Sequence, residues 1–88
     1  MRAEDFAAEM AAAGHPVTVW ANAPGDTYAA HSHGYQKVLC CLEGSIVFHL
    51  AGHDEPLSQG ERLVLEPGTE HSATVGPSGV RCAEAHVR

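Results

Sequence analysis

Basic residues are scarce in this sequence of 88 residues. It has 5 Lys and Arg against 11 Asp and Glu, which gives a formal net charge of −6 at pH 7. Proteins that bind nucleic acid present a basic face, and attraction to anionic membranes needs clustered Lys and Arg. The composition therefore argues against nucleic acid and against a membrane surface as partners.

Long apolar runs are also absent. No stretch approaches the ~18 consecutive apolar residues of a membrane-spanning helix, so none is predicted. The first 14 residues are apolar but carry Glu4, Asp5 and Glu9. A secretory signal has a basic start and an uncharged middle, so we expect this segment to belong to the mature protein.

Cysteine is limited to Cys40, Cys41 and Cys82. An odd number in a short chain is not typical of a disulfide framework. Cys40 and Cys41 are neighbours in a predicted strand, so their side chains should point to opposite faces and not pair. We expect buried free thiols in a reducing cytoplasm.

The chain length predicts a single domain over residues 1–88. A domain of this size has a thin core, which makes added stabilisation by a metal or a second subunit plausible. Its first part, residues 1–14, is predicted to contain a short helix, in which Phe6, Met10 and Ala13 form an apolar stripe over residues 2–13. Gly14 and the Pro that follows shortly after are typical of a helix end.

The remainder, residues 17–88, has the composition of an antiparallel β-sandwich or barrel. Short β-branched or apolar segments alternate with turn residues, and no helical pattern lies between them. Strands are predicted at residues 17–20, 27–33, 36–42, 45–50, 62–65, 72–75 and 80–87. Turns are predicted at residues 43–44 and 76–79, and residues 51–56 are predicted to form a loop.

The segment Val38–Leu42 is apolar at every position. A strand with one solvated face would alternate apolar and polar residues. One face can line the interior of a barrel, and the other needs cover from the N-terminal helix or from a second subunit. We therefore expect a homodimer.

Three histidines have the spacing of a metal site. His31 and His33 are one residue apart, so in an extended strand both imidazoles point to the same side. His71 comes later, after the turn chemistry of Pro67 and Gly68. We predict that these three rings meet in the mouth of the barrel.

Two motifs around these histidines resemble those of the cupin family, whose fold is a small double-sheet jelly roll. The first family motif is Gly-x5-His-x-His-x3-Glu-x6-Gly, and this chain reproduces its spacing with Gly25, His31, His33, Lys37 and Gly44. The second is Gly-x5-Pro-x-Gly-x2-His-x3-Asn, and it is matched here by Gly60, Glu66, Pro67, Gly68, His71 and Val75. The resemblance implies an all-β antiparallel jelly-roll barrel with a short N-terminal helix.

The departures from the family motifs affect the expected chemistry. The glutamate that serves the family as a fourth metal ligand is Lys37 here, the proline is displaced by one place, and the final asparagine is Val75. Three neutral imidazoles can still hold a divalent transition metal such as Zn, Fe, Ni, Mn or Cu. Lys37 must either turn to a carboxylate or to solvent, or remain neutral beside the metal. Loss of the carboxylate should favour an anionic ligand.

We expect the protein to bind a small-molecule ligand, and two alternative functions are consistent with the sequence. The first is a metal-dependent enzyme, dioxygenase- or isomerase-like, that acts on a small anionic substrate. The second is a non-catalytic binding or sensor module from which the metal site has been lost. Candidate ligand-binding residues are Lys37, Tyr35, Tyr28 and Arg81. Arg81 is included because the small Ala83 and Ala85 share its strand face, and a lumen lined by them would have room for a ligand.

Overall fold

The computed structural model describes residues 3–87. One helix and six strands are found in this range. They are α1 (Ala3–Ala12), β1 (Val17–Asn22), β2 (Thr27–His31), β3 (Gln36–Leu50), β4 (His53–Ser58), β5 (Arg62–Leu65) and β6 (His71–Val87). The predicted ends of the domain, residues 1 and 88, and the predicted first residue of the helix, residue 2, lie outside the described range.

All strand pairs among the described residues are antiparallel. The sheet runs in the order β1-β6-β3-β4, while β2 pairs with β6 and β5 pairs with β3. The predicted all-β antiparallel fold with a short N-terminal helix is confirmed. No helix within residues 3–87 has the length and apolarity needed to cross a membrane.

Two predicted turns are wrong, because β3 and β6 are long strands that continue through residues 43–44 and 76–79. Gly44 lies opposite Val80, and the register shifts on either side of it. A Cβ on Gly44 would lie 2.0 Å from the backbone oxygen of Gly79. The glycines here allow two bulged strands to approach closely, instead of reversing the chain.

The predicted loop at residues 51–56 holds only for the turn at residues 51–52 and is wrong beyond it, because β4 begins at His53. Its sequence contains Asp54, Glu55 and Pro56, which are uncommon in central strands. β4 is the terminal strand of the main sheet path and pairs with β3 on one side. An edge strand tolerates a proline, since one of its sides makes no ladder hydrogen bonds.

The apolar side chains form two clusters on opposite faces of the sheet. The interior cluster contains Leu39, Cys41, Ile46, Phe48, Leu57, Leu65, Ala73, Val75, Val80 and Cys82. The second cluster contains Phe6, Met10, Val38, Cys40, Leu42, Ala83 and Ala85. The separation of Cys40 from Cys41 on opposite faces is therefore confirmed.

The helix α1 covers the outer face of β3 and β6. Phe6 is fully buried and Met10 is 8% exposed, whereas Ala13 is exposed. The cover that Val38–Leu42 requires is thus provided within the chain. The homodimer stays a prediction.

Candidate metal centre and adjoining pocket

Three histidines meet at one end of the barrel. His31 ends β2 and lies directly opposite His71, the first residue of β6, while His33 follows β2 in the connection to β3. The ring centroids are 4.8 Å apart for His31 and His33, 4.4 Å for His31 and His71, and 5.5 Å for His33 and His71. One ring nitrogen of each residue lies within 4.8 Å of the others.

The hydrogen-bond contact found for each of these three rings is made by Nδ1. His31 Nδ1 is 2.7 Å from the Ala29 carbonyl oxygen, and His71 Nδ1 is 3.0 Å from that of Thr69. A carbonyl only accepts, so both Nδ1 atoms carry the proton and both Nε2 atoms keep a lone pair. His33 Nδ1 is 3.3 Å from the Tyr35 hydroxyl, and its Nε2 is buried with no hydrogen-bond partner.

This arrangement fits a divalent transition metal. Histidine ligands commonly donate their second ring nitrogen to a carbonyl or another acceptor, which fixes the ring and the tautomer. A buried nitrogen without a partner is uncommon in a folded protein, and a metal would satisfy it. His31, His33 and His71 are therefore the residues that would hold the ion.

The electrostatic surroundings keep two of the three rings neutral. Burial lowers the pKa of His33, and the charge of Lys37 lowers it further. Burial also lowers the pKa of His71, and it outweighs the opposing effect of the hydrogen bond to the Thr69 carbonyl. Neutral imidazole is the form that binds a metal, so both shifts favour ligation near neutral pH.

A pocket of about 220 Å³ adjoins the histidines. His31 and His71 line one part of it, together with Lys37 and Glu84. The apolar part is lined by Trp20, Tyr28, Leu39, Phe48, Leu65 and Ala73. Its volume is below the ~300–1,000 Å³ of drug-sized sites, so it suits a smaller molecule.

Lys37 faces this pocket and lies near the carboxylate of Glu84, which was not predicted as a site residue. Its Nζ is 3.5 Å from Glu84 Oε2, and the two side chains are 13% and 12% exposed. Of the expected alternatives for Lys37, the turn towards a carboxylate is the one found. Alternation along β6 places Glu84 on the same face as the interior Cys82, but it does not show which face of the strand is the interior one.

Glu84 is held by several donors. The Trp20 indole N–H donates to Oε1 at 2.6 Å, and His86 Nε2 is 2.8 Å from Oε2. Burial alone would raise the pKa of Glu84, but the hydrogen bond with His86, the charge of Lys37 and the hydrogen bond from Trp20 outweigh it and lower the pKa. The pocket therefore contains one fixed carboxylate beside one ammonium group.

The two tyrosines have different positions. Tyr28 lines the pocket, packs edge-on against Trp20 with centroids 5.9 Å apart, and donates its hydroxyl hydrogen bond to Asn22. Tyr35 stacks between the rings of His33 at 5.1 Å and His86 at 4.3 Å. Tyr28 thus contributes to the pocket wall, and Tyr35 supports a histidine of the metal centre.

The structure does not bring Arg81 to the pocket. Arg81 lies in a separate surface groove, and its Nη2 is 3.7 Å from Glu43 Oε1. Ala83 and Ala85 pack in the outer cluster beneath α1. The predicted lumen face of β6 was therefore the wrong one, because alternation places Cys82 and Glu84 inside and Arg81 outside.

Cys41 lies in the interior cluster opposite Cys82 on the neighbouring strand. Both thiols are fully buried. Burial raises the pKa of Cys41, and it raises the pKa of Cys82 to about 12. Protonated buried thiols are poor nucleophiles and poor metal ligands, so these cysteines fit a packing role.

Comparison with known proteins agrees with this geometry. The family profile described as cupin domain matches residues 18–81. A search of the curated proteins found no significant match.

Among solved structures, a cupin-2 domain containing protein from Shewanella frigidimarina is 19% identical, with a TM-score of 0.73, and the match covers 84% of this chain and 71% of that one. An uncharacterized conserved protein with a double-stranded beta-helix domain from Klebsiella pneumoniae is 26% identical, with a TM-score of 0.72, and 83% and 66% are covered. A structure reported for the DMSP lyases RdDddP and RnDddQII is 23% identical, with a TM-score of 0.78, and the match covers 84% of this chain but 38% of that one. These similarities establish the fold.

Proposed function

The chain belongs to the cupin family, and on that premise we propose that it binds a divalent transition metal through His31, His33 and His71, with a small anionic molecule beside it. The observation that carries the proposal is the shared state of the three rings. Nδ1 of each ring lies within hydrogen-bonding distance of an oxygen atom, and the Nε2 of His33 is buried with no partner among the described residues. Three converging ring nitrogens, with the tautomer set by a carbonyl at His31 and His71, form an open site of the kind that zinc and other imidazole-binding metals occupy.

We propose that this site belongs to a metal-dependent enzyme, dioxygenase- or isomerase-like. When bound, such a metal supplies Lewis acidity or the activation of dioxygen. The residues of the chain hold the imidazoles in position, and Tyr35 supports His33 by stacking and by its hydroxyl group. The apolar walls of the pocket, including Trp20 and Phe48, exclude water from the reacting molecule. That a solved relative of this fold is reported as a lyase is consistent with enzymatic use of the barrel.

A second candidate function is a non-catalytic module that holds a small organic anion without metal. Lys37 favours it, because an ammonium group stands where the family motif has a metal-binding glutamate. An ammonium repels a divalent cation and offers no lone pair. In this case the histidines and Lys37 would bind the organic molecule directly.

Elemental analysis of protein purified without an affinity tag tests the first proposal against the second. We expect one equivalent of Zn, Fe, Ni, Mn or Cu in the wild type, and its loss in His71→Ala. His53→Ala is the matched control, since His53 lies on β4 and its Nε2 contacts Glu55 instead of the metal centre.

Metal-free wild-type protein that also fails to take up Zn²⁺ in a calorimetric titration would contradict metal binding. Mass spectrometry of such protein after denaturation would then identify an organic anion, as the second candidate requires. Equal metal content in wild type and His71→Ala would exclude the three-histidine site as the place of binding.

Assembly and location are further proposals. We propose a homodimer, because a domain of this size gains stability from a partner and Val19 on the edge strand β1 is 50% exposed. Sedimentation equilibrium distinguishes the 9.3 kDa chain from a particle of twice that mass.

We propose a cytoplasmic location from the three free buried cysteines, because free thiols are typical of a reducing compartment.

A further inference from the structure

We propose that Lys37, which lies beside Glu84, recognises the carboxylate of a small monocarboxylic acid with a branched apolar tail of a few carbons. This deepens the proposed binding of an anion, but it rests on the pocket and its charge pair and does not require that the metal be bound. The carboxylate would take the donors of Lys37, and the tail would lie against the aromatic and aliphatic walls.

The first step of the argument is the incomplete hydrogen bonding of Lys37. Its ammonium group carries three donors, and its side chain is 13% exposed. Among the described residues the contact found for it is Glu84 Oε2 at 3.5 Å. Charge-assisted hydrogen bonds are shorter, about 2.8 Å. A largely buried ammonium with spare donors favours an acceptor supplied by a bound molecule.

The second step is the fixed position of Glu84. Its oxygens already accept from Trp20 at 2.6 Å and from His86 at 2.8 Å. These donors hold the carboxylate against the pocket wall and take up part of its charge. Glu84 therefore offsets the charge of Lys37 only in part, and it cannot turn to cover the ammonium more closely without breaking both bonds.

The third step concerns the charge of the bound group. Among the described residues that line the pocket, Lys37 is the one Lys or Arg, and Glu84 lies next to it. A dianion such as phosphate would gain one favourable partner and meet one repelling carboxylate, whereas a monoanion needs a single cation. The net charge of −6 on the whole chain is not decisive here, because charges more than a Debye length of about 8 Å away are screened at physiological ionic strength.

The fourth step is the shape of the remaining space. The pocket holds about 220 Å³, and most of its wall beyond the charged residues is apolar. Trp20 and Tyr28 form an edge-to-face pair on that wall. A short branched hydrocarbon tail fits such a space, while a sugar would leave its hydroxyl groups without partners against apolar side chains.

The test uses three matched probes on the full-length, EDTA-treated protein at pH 7. They are 4-methylpentanoate, its neutral isostere 4-methylpentanamide, and acetate, which keeps the carboxylate but lacks the tail. Trp20 is the single tryptophan of the chain and lines the pocket, so its fluorescence reports occupancy directly. Calorimetry gives an independent affinity.

We expect 4-methylpentanoate to bind at least tenfold more tightly than either comparison probe. Lys37→Met, which keeps the apolar stem and removes the charge, should abolish the preference for the acid over the amide. Lys37→Arg should retain that preference. Glu84→Gln should tighten binding of the acid at least threefold, because a repelling charge is removed while oxygen and nitrogen atoms remain for hydrogen bonding.

Equal binding of acid and amide, or an unchanged affinity for the acid in Lys37→Met, would overturn the proposal. Circular dichroism and thermal melting of each variant identify loss of folding. If Lys37→Met fails to fold, the preference for the acid over the amide in Lys37→Arg provides a second test. Repetition with one equivalent of Zn²⁺ separates this proposal from metal binding. Binding that appears only with Zn²⁺ and persists in Lys37→Met would place the anion on the metal and overturn the role of Lys37.

Discussion

Of the departures from the family motifs, Lys37 is the one that places a charge in the pocket beside the metal centre. Burial lowers the pKa of both His33 and His71, and the positive charge of Lys37, at the position of a metal-binding glutamate, lowers both further. Glu84, on the neighbouring strand, contributes a negative charge to the same pocket, and its Oε2 lies 3.5 Å from Lys37 Nζ. The pocket residues are thus close to neutral as a pair, and the charge of a bound divalent metal would be left uncompensated. An anionic ligand is the natural partner of such a centre.

Metal retention should depend on pH in a direction set by these histidines. Free imidazoles take up protons below ~6.5, and the pKa values of His33 and His71 are lowered from that value. We therefore expect full Zn²⁺ occupancy above pH 6.5 and progressive loss as the pH falls through the lower pKa values of the folded state. Elemental analysis after dialysis at a series of pH values from 8 to 4 measures this loss.

The lowered pKa values of His33 and His71 also determine how the stability of the metal-free protein changes with pH. Below pH 6.5 the unfolded chain binds more protons at these two residues than the folded chain, so stability should fall as the pH falls. Urea midpoints of the EDTA-treated protein measure this dependence.

For the metal-bound protein, stoichiometric Zn²⁺ retention after dialysis at pH 4 would contradict ligation by histidine.

At the level of the strands, the long β3 and β6 depend on a close approach at one glycine. Gly44 has φ +73, and a Cβ there would meet the backbone oxygen of Gly79 at 2.0 Å. Gly52 has a similar φ of +84 but has nothing within 4 Å of the corresponding position. The two residues therefore share the same backbone strain on substitution and differ in steric contact.

We expect Gly52→Ala to lower the free energy of unfolding by about 1 kcal/mol, the cost of a left-handed conformation for a residue with a Cβ. Gly44→Ala should cost at least about 2 kcal/mol more, because backbone atoms must move to relieve the contact. Urea denaturation of the two variants measures the difference. Equal destabilisation would show that the strands separate at the bulge without cost.

The sequence predicted the elements better than their extents. Strand alternation correctly separated Cys40 from Cys41, and the histidine spacing predicted the three rings that the structure brings together. The glycines at positions 44 and 79 were misassigned to turns, since a local pattern cannot distinguish a chain reversal from a close approach between distant strands. Glu84 was missed for a related reason, because the inward face of β6 depends on its pairing with β3 and not on its own composition.

For the molecule as a whole, the metal centre joins the end of β2, the segment after it and the start of β6. β2 pairs with β6 at Thr27, Tyr28 and His31, with a register shift between the last two. His33 follows β2, and Gly68, just before β6, donates its N–H to the His33 carbonyl at 2.8 Å. A metal bound to His31, His33 and His71 would therefore fasten β2 and the segment after it to the start of β6.

Metal binding should accordingly stabilise the whole domain. A ligand that binds the folded state alone adds about 2.7 kcal/mol at a concentration of 100 times its Kd. For a domain of this size each kcal/mol raises Tm by about 4–8 °C, so we expect an increase of about 10–20 °C on saturation with Zn²⁺. Differential scanning calorimetry with Zn²⁺ and with EDTA measures the shift. His71→Ala should lose the Zn²⁺-dependent increase, whereas His53→Ala, altered on edge strand β4 where His53 contacts Glu55, should keep it. An equal increase in both variants would mean that Zn²⁺ acts elsewhere on the protein, and the three histidines would then have to be explained by packing alone.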